Sequence, residues 1–419
     1  MKKGYAHMKC GLLGEHLSHS YSPLIHSKLA DYSYELYEVS KDNLADFLKN
    51  GEVDAFNVTI PYKKAVIPYL DSISPEAEAI GSVNTVIRDK NNRLHGYNTD
   101  YFGFSYMVDL LKIDVADKKA LVLGAGGASL TVCKVLRDRG AKEITVLGSK
   151  DNTPEAISLH SDAEIVVNAT PVGMYPNNGA SPIDLSLLKN CRAVFDLIFN
   201  PSLTALLMQA EELGIPYING LPMLVAQAAK ACSFFTEETF DNYCIEEITR
   251  EIDNKTKNII LIGMPGCGKS TVGRLISEKT EMTFFDADRE FEKDHGFSPA
   301  YCIEQMGEGE FRRRETETIK NLCKKSGAVI ATGGGVVTRS ENYPPLHQNG
   351  VIFFIERELD NLTKKGRPLS QKTSPEQMYA SRIKAYKKFA DVIIYSNEII
   401  EDTANKIISE FEAFIGRKL

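Results

Sequence analysis

The sequence has no surplus of positive charge: 49 lysines and arginines face 56 aspartates and glutamates, a net charge of -7. That balance argues against a generic nucleic-acid or anionic-membrane surface, so any phosphate binding must be local. No segment approaches the ~18 uninterrupted apolar residues of a membrane-spanning helix. The opening residues MKKGYAHMKCGLLGEHLSHS hold no apolar stretch long enough for a signal peptide, and a cytoplasmic location is expected. The eight cysteines (Cys10, Cys133, Cys191, Cys232, Cys244, Cys267, Cys302, Cys323) never fall in CxxC or another metal-ligand spacing, and no histidine pair lies near them at such spacing. They are expected to be reduced thiols, mostly filling space. Low-complexity tracts and repeats of solenoid period are missing as well.

What is present is an alternation. Runs rich in valine and isoleucine at 120–123, 144–147, 164–167, 193–197, 258–262, 329–331 and 351–355 recur between longer helix-like stretches. This predicts an α/β protein with parallel sheets and crossover helices. At ~100 to 200 residues per domain the chain holds two or three domains. Polar residues 253–257 (DNKTK) separate a helical stretch, 240–252, from a new strand, which predicts a short linker between domains 1–252 and 258–419.

Strand 258–262 runs into Gly263-Met-Pro-Gly266-Cys267-Gly268-Lys269-Ser270, a GxxxxGK[ST] loop in the strand-loop-helix setting that motif requires, with Thr271 next. The glycines let backbone N–H groups wrap a phosphate at a helix N-terminus, Lys269 adds charge at the β and γ phosphates of ATP, and Ser270 offers a hydroxyl to Mg²⁺. Further on, FFDADREFE presents Asp286 and Asp288, which alternation in an extended segment points to one side. One can join the metal shell while the other accepts a proton from an attacking hydroxyl. Gly307-Glu-Gly-Glu-Phe-Arg312-Arg-Arg-Glu315 holds basic residues able to grip a small carboxylate, or is simply a charged helix face. Gly333-Gly334-Gly335 follows the strand-like AVIAT, Gly366-Arg367-Pro368-Leu369 lies in a polar stretch suited to a lid, and Arg382-x-x-x-Tyr386 falls on a helix.

Together these residues resemble shikimate kinase from residue 258 to about 414. The resemblance implies a P-loop domain of the nucleoside-monophosphate-kinase kind. In it Lys269 and Asp288 are catalytic, Ser270 and Asp286 face the metal, and Asp288 and Arg312 bind shikimate with Gly334 and Gly335. Arg382 clamps the shikimate carboxylate, and Arg367 closes on the phosphates. Lys364 and Lys365 stand where another arginine would be expected on the adenine side.

In the first half, strand 120–123 leads into Gly124-Ala-Gly126-Gly127-Ala128-Ser129 and a helix, and a second strand ends near Gly148. Strand, glycine turn and helix in this order predict a dinucleotide site, with Ser129 small enough for close packing. The first hundred residues are left to hold substrate. They contain Ser20-x-Ser22-Pro23, Asn57-Val-Thr59-Ile-Pro-Tyr-Lys63, Ser82-Val-Asn84-Thr85 and Tyr97-Asn98-Thr99-Asp100. Caps and turns are the ordinary use of such residues, and a hydroxyl-rich ligand is the functional one. Lys63 with Asp100 offers a proton donor, oriented by a carboxylate, for a carbonyl oxygen that accepts a hydride at its carbon.

With Asn168-Ala-Thr170-Pro-Val-Gly173-Met174, Asp196-Leu-Ile-Phe199-Asn200-Pro201 and Asn219-Gly-Leu221-Pro-Met223-Leu224-Val-Ala-Gln227, these motifs are similar to shikimate dehydrogenase from residue 8 to about 252. The resemblance implies a substrate-binding α/β domain, about 1–100, to which the C-terminal helices return, and a Rossmann-type NADP domain, about 101–225. It assigns Ser20 and Ser22 to the shikimate carboxylate, Thr59, Asn84 and Gln227 with Lys63 and Asp100 to its hydroxyls, and Met223 to the nicotinamide. The cofactor would lie on Gly124, Gly126, Gly127, Ala128 and Ser129, with Ser149 and Lys150 near the 2′-phosphate. The family usually has Asn-Arg-Thr where this chain has Gly148-Ser149-Lys150, and often a tyrosine where it has Phe199.

The expected protein is a bifunctional enzyme. It would reduce 3-dehydroshikimate with NADPH and then phosphorylate the shikimate with ATP and Mg²⁺. Its partners are those small molecules, without nucleic acid or membrane; an oligomer is compatible with the sequence but not implied by it. The alternatives are a quinate/shikimate dehydrogenase using NAD fused to the kinase, and a ligand-sensing regulatory pseudoenzyme.

Overall fold

The computed structural model describes residues 4–17, 20–148, 150, 153–362, 374–396 and 399–417. They form two compact units. The first contains residues Met1–Met174, Ala180–Phe199 and Leu206–Thr249; the second contains Tyr175–Gly179, Asn200–Ala205 and Arg250–Leu419.

The first unit holds two sheets. Strands β1 (Lys9–Gly14), β2 (Ser33–Glu38), β3 (Ala55–Val58), β4 (Ser72–Ile73), β5 (Thr85–Arg88) and β6 (Leu94–Tyr97) order as β2-β1-β3-β5-β6-β4. This sheet is mixed rather than parallel, because β5 pairs antiparallel with both β3 and β6. The reversal is local chemistry: Asp89 Oδ1 accepts the backbone N–H of Asn91 and Arg93 at 2.8 and 2.9 Å. Asn92 takes φ 64°, a left-handed conformation that asparagine tolerates.

The second sheet is wholly parallel, from β7 (Lys119–Leu123), β8 (Glu143–Leu147), β9 (Ile165–Asn168), β10 (Ala193–Asp196) and β11 (Tyr217–Ile218), in the order β11-β10-β9-β7-β8. Strand order reverses between β7 and β9, which opens a crevice at their C-terminal ends. Helix Leu221–Thr236 packs against Asp100–Leu111 and Ser22–Leu29, bringing late sequence back to the substrate part. Gly103 permits the first of these contacts: a Cβ there would lie 2.7 Å from the Met223 carbonyl oxygen.

The second unit is a parallel sheet of β12 (Asn258–Ile262), β13 (Thr283–Asp286), β14 (Ala328–Ala331), β15 (Gly350–Glu356) and β16 (Val392–Tyr395), ordered β13-β14-β12-β15-β16. Every residue of β12 is buried, as a central strand covered on both faces requires. Residues 253–257 do not form a loop. Helix Asn242–Thr256 runs through them, and the Lys257 N–H still donates to Asp253 O at 2.9 Å. Polarity here marks a helix end and a buried lysine, whose Nζ donates to Ser202 Oγ at 2.6 Å, rather than a solvated tether.

Candidate active sites

In the first unit a cavity of about 570 Å³ gathers Ser20, Ser22, Thr59, Lys63, Asn84, Asp100, Met223 and Gln227 with Ala128 of the dinucleotide turn. Lys63 Nζ lies 2.5 Å from Asp100 Oδ2, and their side chains are only 20% and 11% exposed. Sheltered from water, the pair is screened less than a surface ion pair. Asp100 opens helix Asp100–Leu111, where the helix dipole favours a carboxylate. Its neighbour Thr99 ties down two more groups. Asn84 Oδ1 accepts the Thr99 N–H at 2.7 Å, and the Thr99 hydroxyl donates to Gln227 Oε1 at 3.3 Å. At another wall, Ser20 Oγ accepts the Ser22 N–H at 3.2 Å.

Sequence reasoning quoted Asn57 within a motif without giving it a role and passed over Tyr21 and His16; all three also line this cavity. Asn57 is buried, accepting from Tyr34 Oη at 2.8 Å and donating to Thr85 Oγ1 at 3.0 Å. Its signal was present: it stands two residues before Thr59, and alternate residues of an extended segment share a face. Phe199 contacts the Tyr21 ring, with centroids 5.5 Å apart.

The dinucleotide turn leaves β7 at Gly124, whose φ of 105° and approach to the Ala169 carbonyl suit only glycine. Nothing lies within 4 Å of the position a Cβ would take at Gly126, the cap of helix Gly127–Asp138, so backbone there can meet a ligand. Ser129 replaces the third glycine at little cost, since it is buried and its hydroxyl donates to Gly126 O at 2.7 Å. Lys150 is exposed. Ser149 falls outside the described residues, as do Arg367 with its neighbours Gly366, Pro368 and Leu369, and Lys364 and Lys365.

The second unit holds a cavity of about 420 Å³ lined by Gly266, Gly268, Lys269, Ser270, Thr271, Asp286, Asp288, Arg312, Gly334, Gly335 and Arg382, among others. Gly263, Gly266 and Gly268 take φ of 149°, 92° and 99°, which bends the loop ahead of helix Lys269–Thr280. The Lys269 ammonium donates to the Gly263 and Met264 carbonyls at 2.8 and 3.0 Å. Gly263 and Cys267 shape the loop without lining the cavity; the Cys267 thiol is buried.

Asp286 and Asp288 do not share an extended segment, as the alternation argument required. β13 ends at Asp286, which caps helix Ala287–His295 by accepting the Asp288 N–H on Oδ1 at 3.1 Å. An aspartate at a chain reversal is a helix cap before it is a strand residue. The helical turn still delivers both residues to the cavity.

Arg312 is buried and forked: Nη1 donates to Glu315 Oε2 at 2.7 Å and Nη2 to Glu308 Oε1 at 3.2 Å. Burial alone would lower the Arg312 pKa, but Glu315 and Glu308 outweigh it and raise it. For Glu315 burial dominates and holds the carboxyl above its ordinary range; Arg312 opposes this and Asp288 adds to it. Glu315 had been seen only as part of a charged run, though its spacing of three from Arg312 on one helix was the available signal. The triple glycine answers to this crowding. A Cβ at Gly335 would fall 2.1 Å from Arg312 Nη2, and one at Gly333 2.5 Å from Glu315 Oε1. Arg382 Nη1 donates to Gly334 O at 3.0 Å, and the Tyr386 hydroxyl donates to the same oxygen.

The two sites define a class: a dinucleotide-type dehydrogenase unit joined in one chain to a P-loop phosphotransferase unit. Family models agree, that for the shikimate dehydrogenase substrate binding domain matching residues 12–86 and that for shikimate kinase residues 265–412. The shikimate dehydrogenase (NADP(+)) of Clostridium beijerinckii is 37% identical over 267 residues, covering 59% of this chain and 98% of that protein. Among solved structures, a chorismate mutase/shikimate 5-dehydrogenase fusion protein from Clostridium acetobutylicum matches with a TM-score of 0.55 at 34% identity, over 59% of this chain and 98% of that one. The shikimate 5-dehydrogenase of Thermus thermophilus, in complex with NADP(H) and shikimate, matches at 0.53 and 33%, over 58% and 99%. The chain belongs to the shikimate dehydrogenase family over its N-terminal half and carries a shikimate kinase domain in its C-terminal part. Among the described residues no helix is long and apolar enough to cross a membrane.

Proposed function

We propose that the chain reduces 3-dehydroshikimate to shikimate with NADPH and then phosphorylates the 3-hydroxyl of shikimate with ATP. One observation supports this: each unit holds a cavity lined by groups suited to one of two consecutive reactions on the same compound. The same reading divides the labour between residues 1–252 and 258–419.

In the first cavity NADPH, when bound, supplies hydride to C3 of the ketone. The open backbone at Gly126 and the helix start at Gly127 suit its pyrophosphate. Lys63 gives a proton to the C3 oxygen as the carbonyl π bond breaks, and Asp100 keeps the ammonium aimed. Ser20 and Ser22 bind the carboxylate, while Thr59, Asn84 and Gln227 read the hydroxyls. Met223 packs at the nicotinamide side.

In the second cavity the bent glycine loop and Lys269 suit a nucleotide's phosphates, and Ser270 with Asp286 offers oxygen donors for Mg²⁺, which supplies charge neutralisation when bound. Asp288 orients the 3-hydroxyl and takes its proton as oxygen bonds the γ-phosphorus and the bond to ADP breaks. Arg312 and Arg382 hold the shikimate carboxylate, with Gly334 and Gly335 closing the floor.

The test uses the full chain. Lys63→Ala should abolish reduction of 3-dehydroshikimate and spare phosphorylation of shikimate, and Lys269→Ala should do the reverse. A folded variant of either kind that loses both activities would overturn the separate-site reading.

A further inference from the structure

Strand β15 ends against the phosphate loop. The Ile355 carbonyl oxygen lies 2.6 Å from where a Cβ at Gly263 would stand. The strand end is held from behind: Glu356 O accepts the Ser396 N–H at 2.9 Å, and the Tyr379 hydroxyl donates to the Glu356 carboxylate. Arg357 therefore leaves a fixed point beside the loop. Its Nη1 lies 4.0 Å from the Cβ position of Gly268, the glycine just before Lys269. Its Nε is buried and makes no hydrogen bond among the described residues.

A buried guanidinium N–H without a partner is costly, so the position favours an acceptor that arrives with a ligand. The ligand chemistry of the neighbouring loop is phosphate, and a guanidinium offers phosphate a planar fork of donors. We propose that Arg357 is a nucleotide-binding residue of the kinase unit, donating to the phosphate chain of ATP or ADP on the Gly268 side of the loop. This rests on the proposed kinase reading and adds a second cation, beside Lys269, at the phosphate loop itself. It also gives a positive charge to the end of β15 from within the described residues, independently of the lysines at 364 and 365.

The experiment is isothermal titration of the full chain with ADP and, separately, with inorganic tripolyphosphate. Arg357→Gln should weaken both by about 10-fold or more, the usual scale for losing a charge-assisted hydrogen bond. Arg357→Lys, which keeps the charge and loses the fork, should fall between variant and wild type. Unchanged reduction of 3-dehydroshikimate by each variant reports that the chain is folded. Unchanged ADP affinity in Arg357→Gln would overturn the proposal, and so would weakened ADP binding with unchanged tripolyphosphate binding, which would place the contact on the base. If the probes bind in an Arg357-dependent way but wild-type protein transfers no phosphoryl group to shikimate, the arginine assignment stands and the activity reading falls.

Discussion

Gly103→Ala puts one methyl group between the two helices that shape the dehydrogenase cavity. The new Cβ would lie 2.7 Å from Met223 O, 3.0 Å from Met223 Cγ and 3.1 Å from Gln227 Cβ. Ordinary contact begins at 3.4 Å, so the helices must part by about 0.7 Å, the difference between 3.4 and 2.7. Met223 and Gln227 both line the cavity, and Gln227 accepts a hydrogen bond from Thr99, the residue beside Asp100. Overpacking costs roughly 1 to 3 kcal/mol, and alanine returns about 1 kcal/mol of helix propensity, leaving a net loss of roughly 0 to 2 kcal/mol. The effect on reaction geometry is larger in kind. A displacement near 1 Å at reacting groups costs on the order of 100-fold, so kcat/KM for shikimate oxidation by NADP should fall roughly 10- to 100-fold. The assay follows NADPH formation with shikimate varied from below its KM, and shikimate phosphorylation by the same preparation should be unchanged. Wild-type kcat/KM for oxidation would refute the reasoning, because it would mean that the helices absorb the methyl without moving the site.

Two further outcomes are expected. Glu315 binds its proton more tightly folded than unfolded, chiefly through burial. Its contribution to stability is therefore full below the ordinary carboxylate range and is lost as pH rises through the raised value. Urea unfolding of Glu315→Gln should accordingly lose that part of the pH slope, and the KM for shikimate should rise as Arg312 loses its buried partner; an unchanged slope and KM would refute this. At the cofactor, NADPH should be favoured over NADH by a modest factor. Lys150→Ala should narrow the kcat/KM ratio by about 10-fold at most, since an exposed cation contributes little across solvent, and an unaltered ratio would remove Lys150 from the site.

Both nucleotide turns were legible because their chemistry is local. A glycine loop between a strand and a helix states its own backbone conformation, and Gly124, Gly266 and Gly268 adopt the positive φ that the motifs require. Strands β7, β9, β12 and β15 were legible because burial on both faces demands continuous apolar runs. Short hairpin strands such as β5 and β6 carry no such run and went unseen. The helix through residues 253–257 was misread as a linker for a related reason: polar residues look alike whether they meet solvent, a helix end or a buried hydroxyl.

The sequence by itself determined the fold class, the two phosphate-binding turns and the chemical types available to each site. What only the tertiary structure decided was which of those types meet. Lys63 and Asp100, 37 residues apart, come within 2.5 Å because β3 and helix Asp100–Leu111 belong to one packed body. Gln227 joins them from the far end of the unit because Gly103 lets its helix approach. Arg312 came to lie under Gly335, and Arg382 to bond the Gly334 carbonyl, through packing that local composition cannot specify. The physical reason is that a side chain's type is written at its own position, whereas its partners, its solvation and its orientation are set by elements distant in sequence and packed at close range.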